Sequence, residues 1–234
     1  TNMSIKNLFF NVPARRNFLK SNPVELKHII EEFQRVALAH PEVGFSLHHN
    51  GNELFHLLGG NLKQRVTGIF GGKYAERVVP VEEQTDILQI NGFVGKPEAC
   101  RKTRGEQYFF VNRRFIKNNY LNHAVFFNYN ELIPDGQYPF FVLNIDIDPN
   151  KVDINVHPTK QEIKFDEEKI VYQIVRAAVR HALSKFSVTP SLDFDQERSM
   201  NEQFGPPSPD AVQRFNQGGA WEIKPTNKQP AFLK

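Results

Sequence analysis

A short stretch in the middle of the chain concentrates positive charge. Residues 96–117 hold seven cationic and two acidic side chains, a net charge of +5, against +3 for all 234 residues. Arginine presents planar donors that match phosphate oxygens, and lysine adds a mobile point charge. The stretch is therefore a candidate site for phosphate contacts with a nucleic acid. Its candidate residues are Arg101, Lys102, Arg104, Arg113, Arg114 and Lys117.

Aromatic side chains interrupt this basic stretch at Tyr108, Phe109 and Phe110. Exposed rings beside cations are typical of platforms on which nucleic-acid bases stack. Consecutive residues of a strand point to opposite faces, so at least one of these rings is expected in the core. We favour the phosphate contacts over base stacking.

A second group of cations lies near the start of the chain. Arg15 and Arg16, with Lys20 after them, stand between a predicted strand and a predicted helix. Guanidinium groups in such a turn are suited to phosphates. The alternative, an ordinary solvated loop, stays open.

A third candidate is the segment from Val152 to Lys160. Its polar side chains Asp153, Asn155 and His157 share one face of a predicted strand. They could form a site, or they could satisfy backbone groups at a sheet edge. Lys160 follows the strand and could reach a phosphate.

The sequence shows no pattern for a disulfide, a metal site, a common nucleotide or hydrolase motif, or a membrane span. Cys100 is the single cysteine, which excludes an internal disulfide and every zinc pattern with several thiolates, and fits a reducing cytoplasm. The histidines at 48, 49 and 56 lack the partners that a metal site requires. No Walker loop, dinucleotide fingerprint or nucleophile elbow is present, and no apolar run could span a membrane.

The first part of the chain must position Arg15 and Arg16. Alternation at Met3 and Ile5 predicts an opening strand. Asn22 and Pro23 predict the start of an amphipathic helix that ends before Pro41. Two alternating runs around Asn50-Gly51 then predict a hairpin with a type I′ turn. A boundary is predicted near residue 60.

The second part must position the basic stretch and Lys160. A helix is predicted over 62–70, strands over 87–94, 107–111, 140–147 and 152–156, and helices over 119–132 and from 166 to 186. This order predicts an α+β fold. From Ser187 the apolar period ends and six of the fifteen prolines follow, which predicts a linker. Its isolated aromatics could dock on a partner or on the domain itself.

Three stretches together resemble the MutL family of DNA mismatch repair ATPases, over residues 1 to about 185. They are residues 7–20, residues 108–114 and residues 152–160, in the family's order and spacing. The resemblance implies that residues 1–59 end a GHKL-class ATPase domain. Residues 60–186 would form its transducer domain, an α+β fold like that of a ribosomal protein with a mixed sheet and packed helices. Residues 187–234 would be a flexible interdomain linker.

The resemblance also implies roles for single residues and partners. Thr1 matches the threonine of a nucleotide motif, and Lys160 matches the lysine that senses the terminal phosphate of ATP. ATP and magnesium would be the cofactors of the parent protein. DNA, a mismatch sensor of the MutS type and a second copy of the parent would be its partners, in the bacterial cytoplasm and at the nucleoid during repair.

Two features depart from the complete family pattern. The family's catalytic motifs precede Thr1, so we expect the parent to be an ATPase and this chain alone to be inactive. At Asn119 family members often carry a further basic residue, which weakens the expected DNA contact at that helix start. The alternatives are a non-catalytic nucleic-acid-binding module and a transducer of another GHKL ATPase, such as a type II topoisomerase.

Overall fold

A computed structural model describes residues 1–154 and 161–186. Asn155, His157 and Lys160 of the third candidate site, and the predicted linker at 187–234, lie outside the described residues. The chain divides into two compact units, the first ending at Ile69 and the second beginning at Phe70. Each unit is described by itself.

The first unit consists of helices and one hairpin. Its elements are α1 (Pro13–Arg16), α2 (Asn22–Ala39), β1 (Phe45–His49), β2 (Asn52–Leu57) and most of α3 (Leu62–Phe70). The predicted start of α2 is confirmed within one residue, because Ser21 occupies the N-cap and Pro23 the first turn. Glu25 accepts a hydrogen bond from the backbone N–H of Lys20, which suits a carboxylate at a helix N-terminus.

The predicted opening strand is wrong. Residues 1–6 have no regular secondary structure, and Met3 and Ile5 are 81% and 76% exposed. A strand requires a neighbour for its backbone hydrogen bonds, and none pairs with these residues in the described parts of the chain. The alternation of two apolar residues specifies faces but supplies no partner.

The predicted hairpin is confirmed. β1 and β2 pair in antiparallel fashion across a two-residue turn. Asn50 and Gly51 both have positive φ angles, 51° and 81°, as a type I′ turn requires. Phe33 of α2 covers the hairpin, with its ring centroid 5.3 Å from that of Phe55.

Helix α3 is fastened to the first unit by a buried arginine. One terminal nitrogen of Arg65 donates to the carbonyls of Pro41, Val43 and Leu58, and the residue is 2% exposed. Burial lowers the pKa of its guanidinium. The units divide after Ile69 rather than at the predicted residue 60 because this anchor holds α3 to the loops before and after the hairpin. The assignment of functional domains stays a prediction.

The second unit is built on a five-stranded mixed sheet. Its elements are α4 (Tyr74–Arg77), β3 (Val78–Gln84), β4 (Leu88–Gly95), β5 (Gln107–Val111), β6 (Arg114–Ile116), α5 (Asn119–Phe127), β7 (Phe141–Ile147), β8 (Val152–Asp153), β9 (Lys164–Phe165) and α6 (Glu168–Phe186). The strand order is β3-β4-β7-β5-β6, and all neighbours are antiparallel except β5 and β7. The predicted α+β fold with a mixed sheet is confirmed.

One face of this sheet forms the main core. Phe109, Leu143 and Ile145 of the central strands pack with Leu121 of α5 and Val175 of α6, and all five are at most 2% exposed. The opposite face holds aromatic rings, among them Tyr108 and Phe70, whose centroids lie 5.9 Å apart. Both faces of β5 are therefore covered.

Several elements of the second unit differ from the prediction: β8 ends at Asp153 rather than at 156, α6 begins at Glu168 rather than at 166, and β6 and β9 were not predicted. α5 ends at Phe127 rather than at 132, because the side-chain amide of Asn128 donates to the carbonyls of Ala124 and Arg176 and the backbone turns there. β3, which contains Pro80, was not predicted either. Proline is tolerated because β3 is an edge strand and that residue needs no donor.

Candidate nucleic-acid interface

The sheet separates the basic stretch into two groups. Arg101, Lys102 and Arg104 lie in the loop that leads into β5, and Arg113 and Arg114 lie at its other end. β5 rises by about 3.3 Å per residue, so roughly 15–20 Å separate the groups. We call Arg113 and Arg114 the hairpin-turn pair. A single dense cluster, suggested by the linear sequence, does not form.

Arg101 belongs to a network that fastens its loop to the fold. Its Nε and Nη2 donate to the hydroxyl of Tyr74 at 3.1 and 3.0 Å, and that hydroxyl donates to Oε2 of Glu106 at 2.6 Å. Burial and the bond to Glu106 raise the pKa of Tyr74 to about 12, and the bond to Tyr74 raises the pKa of Arg101. These contacts give Arg101 a structural role beside any phosphate contact.

The rest of the loop group is exposed. The guanidinium carbon of Arg104 lies 4.8 Å from the centroid of the Tyr138 ring, a distance typical of a cation–π contact. Lys102 of the same loop is also exposed. The loop thus presents positive charge at the surface of the second unit.

Arg113 of the hairpin-turn pair is held in an uncommon backbone conformation. Val111 pairs with Arg114, so Asn112 and Arg113 form a two-residue turn, and their φ angles are 48° and 65°. The hairpin at Asn50-Gly51 has the same two positive angles with glycine in the second position. Arginine occupies the position that glycine occupies there, at a cost of about 1–2 kcal/mol. Arg113 and Arg114 are both exposed.

Replacing Arg113 by glycine tests whether this cation is kept for binding. The free energy of unfolding of Arg113→Gly should exceed that of Arg113→Ala by about 1 kcal/mol, because both variants lose the arginine side chain and only glycine adopts a positive φ without strain. The loss of one cation should also flatten the plot of log DNA affinity against log salt by about 0.9, the value for one duplex phosphate. Urea unfolding and salt-dependent DNA titration measure the two effects. A glycine variant no more stable than the alanine variant would contradict the conformational argument.

The aromatic residues of the basic stretch are not a stacking platform. Tyr108, Phe109 and Phe110 are 4%, 2% and 0% exposed. Their rings pack against other rings on both faces of the sheet, such as Phe110 against Phe115 and Phe109 against Phe141. The preference for charge over stacking therefore has a structural reason.

The remaining candidate residues are placed separately. Arg15 and Arg16 are exposed in α1, and Thr1 is exposed in an irregular segment of the same unit. Lys117 is exposed after β6, and its backbone N–H donates to the carbonyl of Gln161 at 2.7 Å. Asn119 is exposed at the first position of α5.

Residues 1–154 and 161–186 lack two further kinds of feature. No helix there is both long enough and apolar enough to cross a lipid bilayer. No three histidine, cysteine or acidic side chains are grouped there so that they could hold a metal ion.

Comparisons with known proteins identify the class. Residues 66–184, about half of the chain, match the family described as DNA mismatch repair protein, C-terminal domain. In a solved N-terminal domain of a DNA repair protein the fold recurs with a TM-score of 0.62 at 19% identity, over 76% of this chain and 59% of that one. A MutL ATPase domain of Aquifex aeolicus that carries a point mutation gives a TM-score of 0.53 at 26% identity, over 74% and 59%.

Sequence relatives make the family specific. The DNA mismatch repair protein MutL of Christiangramia forsetii is 56% identical over 87% of this chain, and that of Bacteroides fragilis is 46% identical over 92%. The chain belongs to the MutL family of DNA mismatch repair proteins. It spans about a third of the length of these relatives, 33% and 35% respectively. The comparisons favour neither alternative, the binding module or the topoisomerase transducer.

Proposed function

We propose that this chain is the region of a MutL-type protein that couples ATP binding to engagement of DNA and repair partners. The proposed DNA contact is supported mainly by the hairpin-turn pair. These two exposed arginines lie at the end of the parallel strands β5 and β7. Arg113 is kept there at a conformational cost. The loop group and the exposed Arg15 and Arg16 supply further cations for the same backbone contacts.

The proposed role in ATP binding is supported by similar proteins. A related MutL ATPase domain was solved as a complex with ADP. By resemblance, Thr1 would contribute to the nucleotide pocket, and Lys160 would contact the terminal phosphate of ATP. We assign no magnesium ligand to this chain. ATP and Mg²⁺ would be held mainly by residues outside it.

In the proposed coupling, the free energy of ATP binding would stabilise one arrangement of the two domains over others. Contact between Lys160 and the terminal phosphate would stabilise one arrangement of the two domains, and a second copy of the protein would close around DNA. A mismatch-sensing protein of the MutS type would recruit that state. The protein would act in the bacterial cytoplasm, at the nucleoid during repair.

The salt dependence of DNA binding tests the proposed interface. In a full-length family protein that carries this chain, Arg113→Glu with Arg114→Glu should flatten the plot of log affinity against log salt by up to about 1.8. This is about 0.9 for each of two duplex phosphates. Fluorescence titrations between about 50 and 200 mM salt cover the range in which such slopes are measured.

A matched control separates local contact from net charge. Lys169→Glu with Arg180→Glu changes the charge by the same amount on exposed positions of α6. Its slope should stay close to that of the unmodified protein. An unaltered slope in the hairpin-turn variant would place the DNA contact elsewhere, and equal changes in both variants would reduce the effect to net charge.

A further inference from the structure

Asn112 joins the hairpin turn to the neighbouring strand β7 through its side chain. Val111, the last residue of β5, pairs with Ile145 of β7. β7 continues for two more residues and ends at Ile147. The Nδ2 of Asn112 donates to the carbonyl of Ile147 at 2.9 Å, and the N–H of Ile147 donates to Oδ1 at 3.0 Å. The backbone N–H of Asn112 also donates to the carbonyl of Ile145.

The carboxamide therefore acts as an additional peptide group. It offers one donor and one acceptor to the same residue of β7, as a backbone unit of a strand would. The chain itself has already left the ladder at this point and turned toward β6. The side chain thus continues the pairing with β7 while the backbone forms the turn.

Two requirements at this position select asparagine. The residue must accept a φ of 48°, and among residues with side chains asparagine is one of the few enriched in that region. It must also carry a donor and an acceptor at the end of a short stem. Aspartate lacks the donor and glycine lacks the side chain.

The side-chain link adds to the backbone pairing that holds the turn. β6 has three residues and lies at the edge of the sheet, and the backbone ties of the turn are the short β5–β6 ladder and the bond from the N–H of Asn112 to Ile145. The side chains of Arg113 and Arg114 leave directly from that turn. The carboxamide of Asn112 therefore contributes to their direction relative to β7.

We propose that Asn112 is the positioning residue of the DNA interface, and that its carboxamide holds Arg113 and Arg114 in the orientation that meets two phosphates of one DNA backbone. The proposal rests on the proposed function of the hairpin-turn pair. Asn112 itself contacts no DNA. Its effect on binding passes entirely through the two arginines.

Asn112→Gly isolates the side-chain link from the turn conformation. Glycine keeps the positive φ without strain and removes only the carboxamide. In the full-length family protein, we expect the slope of log affinity against log salt to flatten by about 1, since both arginines keep their charge but lose a fixed direction. Combining this change with the double reversal at Arg113 and Arg114 should flatten the slope no further than the reversal alone.

Two controls distinguish positioning from ordinary stabilisation. Asn50→Gly makes the same substitution in the other hairpin turn. Asn128→Ala removes a carboxamide that donates to two carbonyls, those of Ala124 and Arg176, away from the turn. Both should leave the salt slope unchanged, even where unfolding in urea shows reduced stability.

The outcomes separate the two proposals. If the double reversal flattens the slope and Asn112→Gly does not, the positioning role is overturned and the proposed interface stands. If the double reversal has no effect, the proposed interface fails and the positioning role fails with it. A slope change in Asn112→Gly that Asn128→Ala reproduces would show a general stability effect and would also overturn the inference.

Discussion

Replacement of Arg65 by methionine is expected to lower the free energy of unfolding of the first unit by about 3 kcal/mol. Methionine fills a similar volume but leaves the carbonyls of Pro41, Val43 and Leu58 without their donor. A buried carbonyl left unsatisfied costs about 1–3 kcal/mol, and because these three bonds are only part-buried we expect about 1 kcal/mol for each. Relief of the desolvation that lowers the pKa of the Arg65 guanidinium offsets part of this cost.

Arg65→Lys is the matched variant for this prediction. It keeps a cation on a stem of similar length, but a single ammonium group cannot reproduce the planar donor geometry, so we expect an intermediate loss of about 1–2 kcal/mol. Urea unfolding gives the free energies. Hydrogen exchange of the amides of β1 and β2 localises the effect to the first unit. A loss below about 1 kcal/mol for methionine would show that other donors or water satisfy the carbonyls.

Replacement of Lys160 by alanine is expected to reduce ATP turnover on the order of 10²-fold in a full-length family protein that carries this chain. Alanine removes a positive charge that would stabilise the terminal phosphate of ATP during hydrolysis. Removal of a single well-placed electrostatic group has effects of this size. A coupled assay of phosphate release measures it. Since Lys160 lies outside the described residues, this prediction rests on the family resemblance.

Lys160→Arg keeps the charge and should retain more turnover than alanine, because a point charge matters at this position more than a particular donor geometry. Unchanged circular dichroism in both variants would confirm that the fold is intact. The salt slope of DNA binding without nucleotide should equal that of the unmodified protein. Unchanged turnover in Lys160→Ala would defeat the proposed role.

Local chemistry accounts for the elements that were predicted well. α2 follows from a proline in its first turn and an apolar period, and the first hairpin follows from Asn50-Gly51, which accepts positive φ angles. Both signals act within a few residues. The opening strand failed because its pairing depends on a partner distant in sequence, which the alternation at Met3 and Ile5 does not specify.

The candidate site was predicted in part. The amino-acid order alone shows the excess of charge over residues 96–117 and the identity of its cations. It does not show that β5 carries Arg101 and Arg113 to opposite ends of the sheet. It also does not show that Arg101 is bound to Tyr74 and Glu106, residues that are 27 and 5 positions away.

By itself, the sequence determined the α+β class, the long helices, the first turn and the family resemblance, because propensity, periodicity and motif are local properties. Tertiary structure alone decided which cations share a surface and which rings are buried. It also decided the part played by Asn112, whose partner Ile147 is 35 residues away. The physical reason is that a parallel pairing of β5 with β7 joins segments with no local relation, and only the folded sheet brings that amide to its strand.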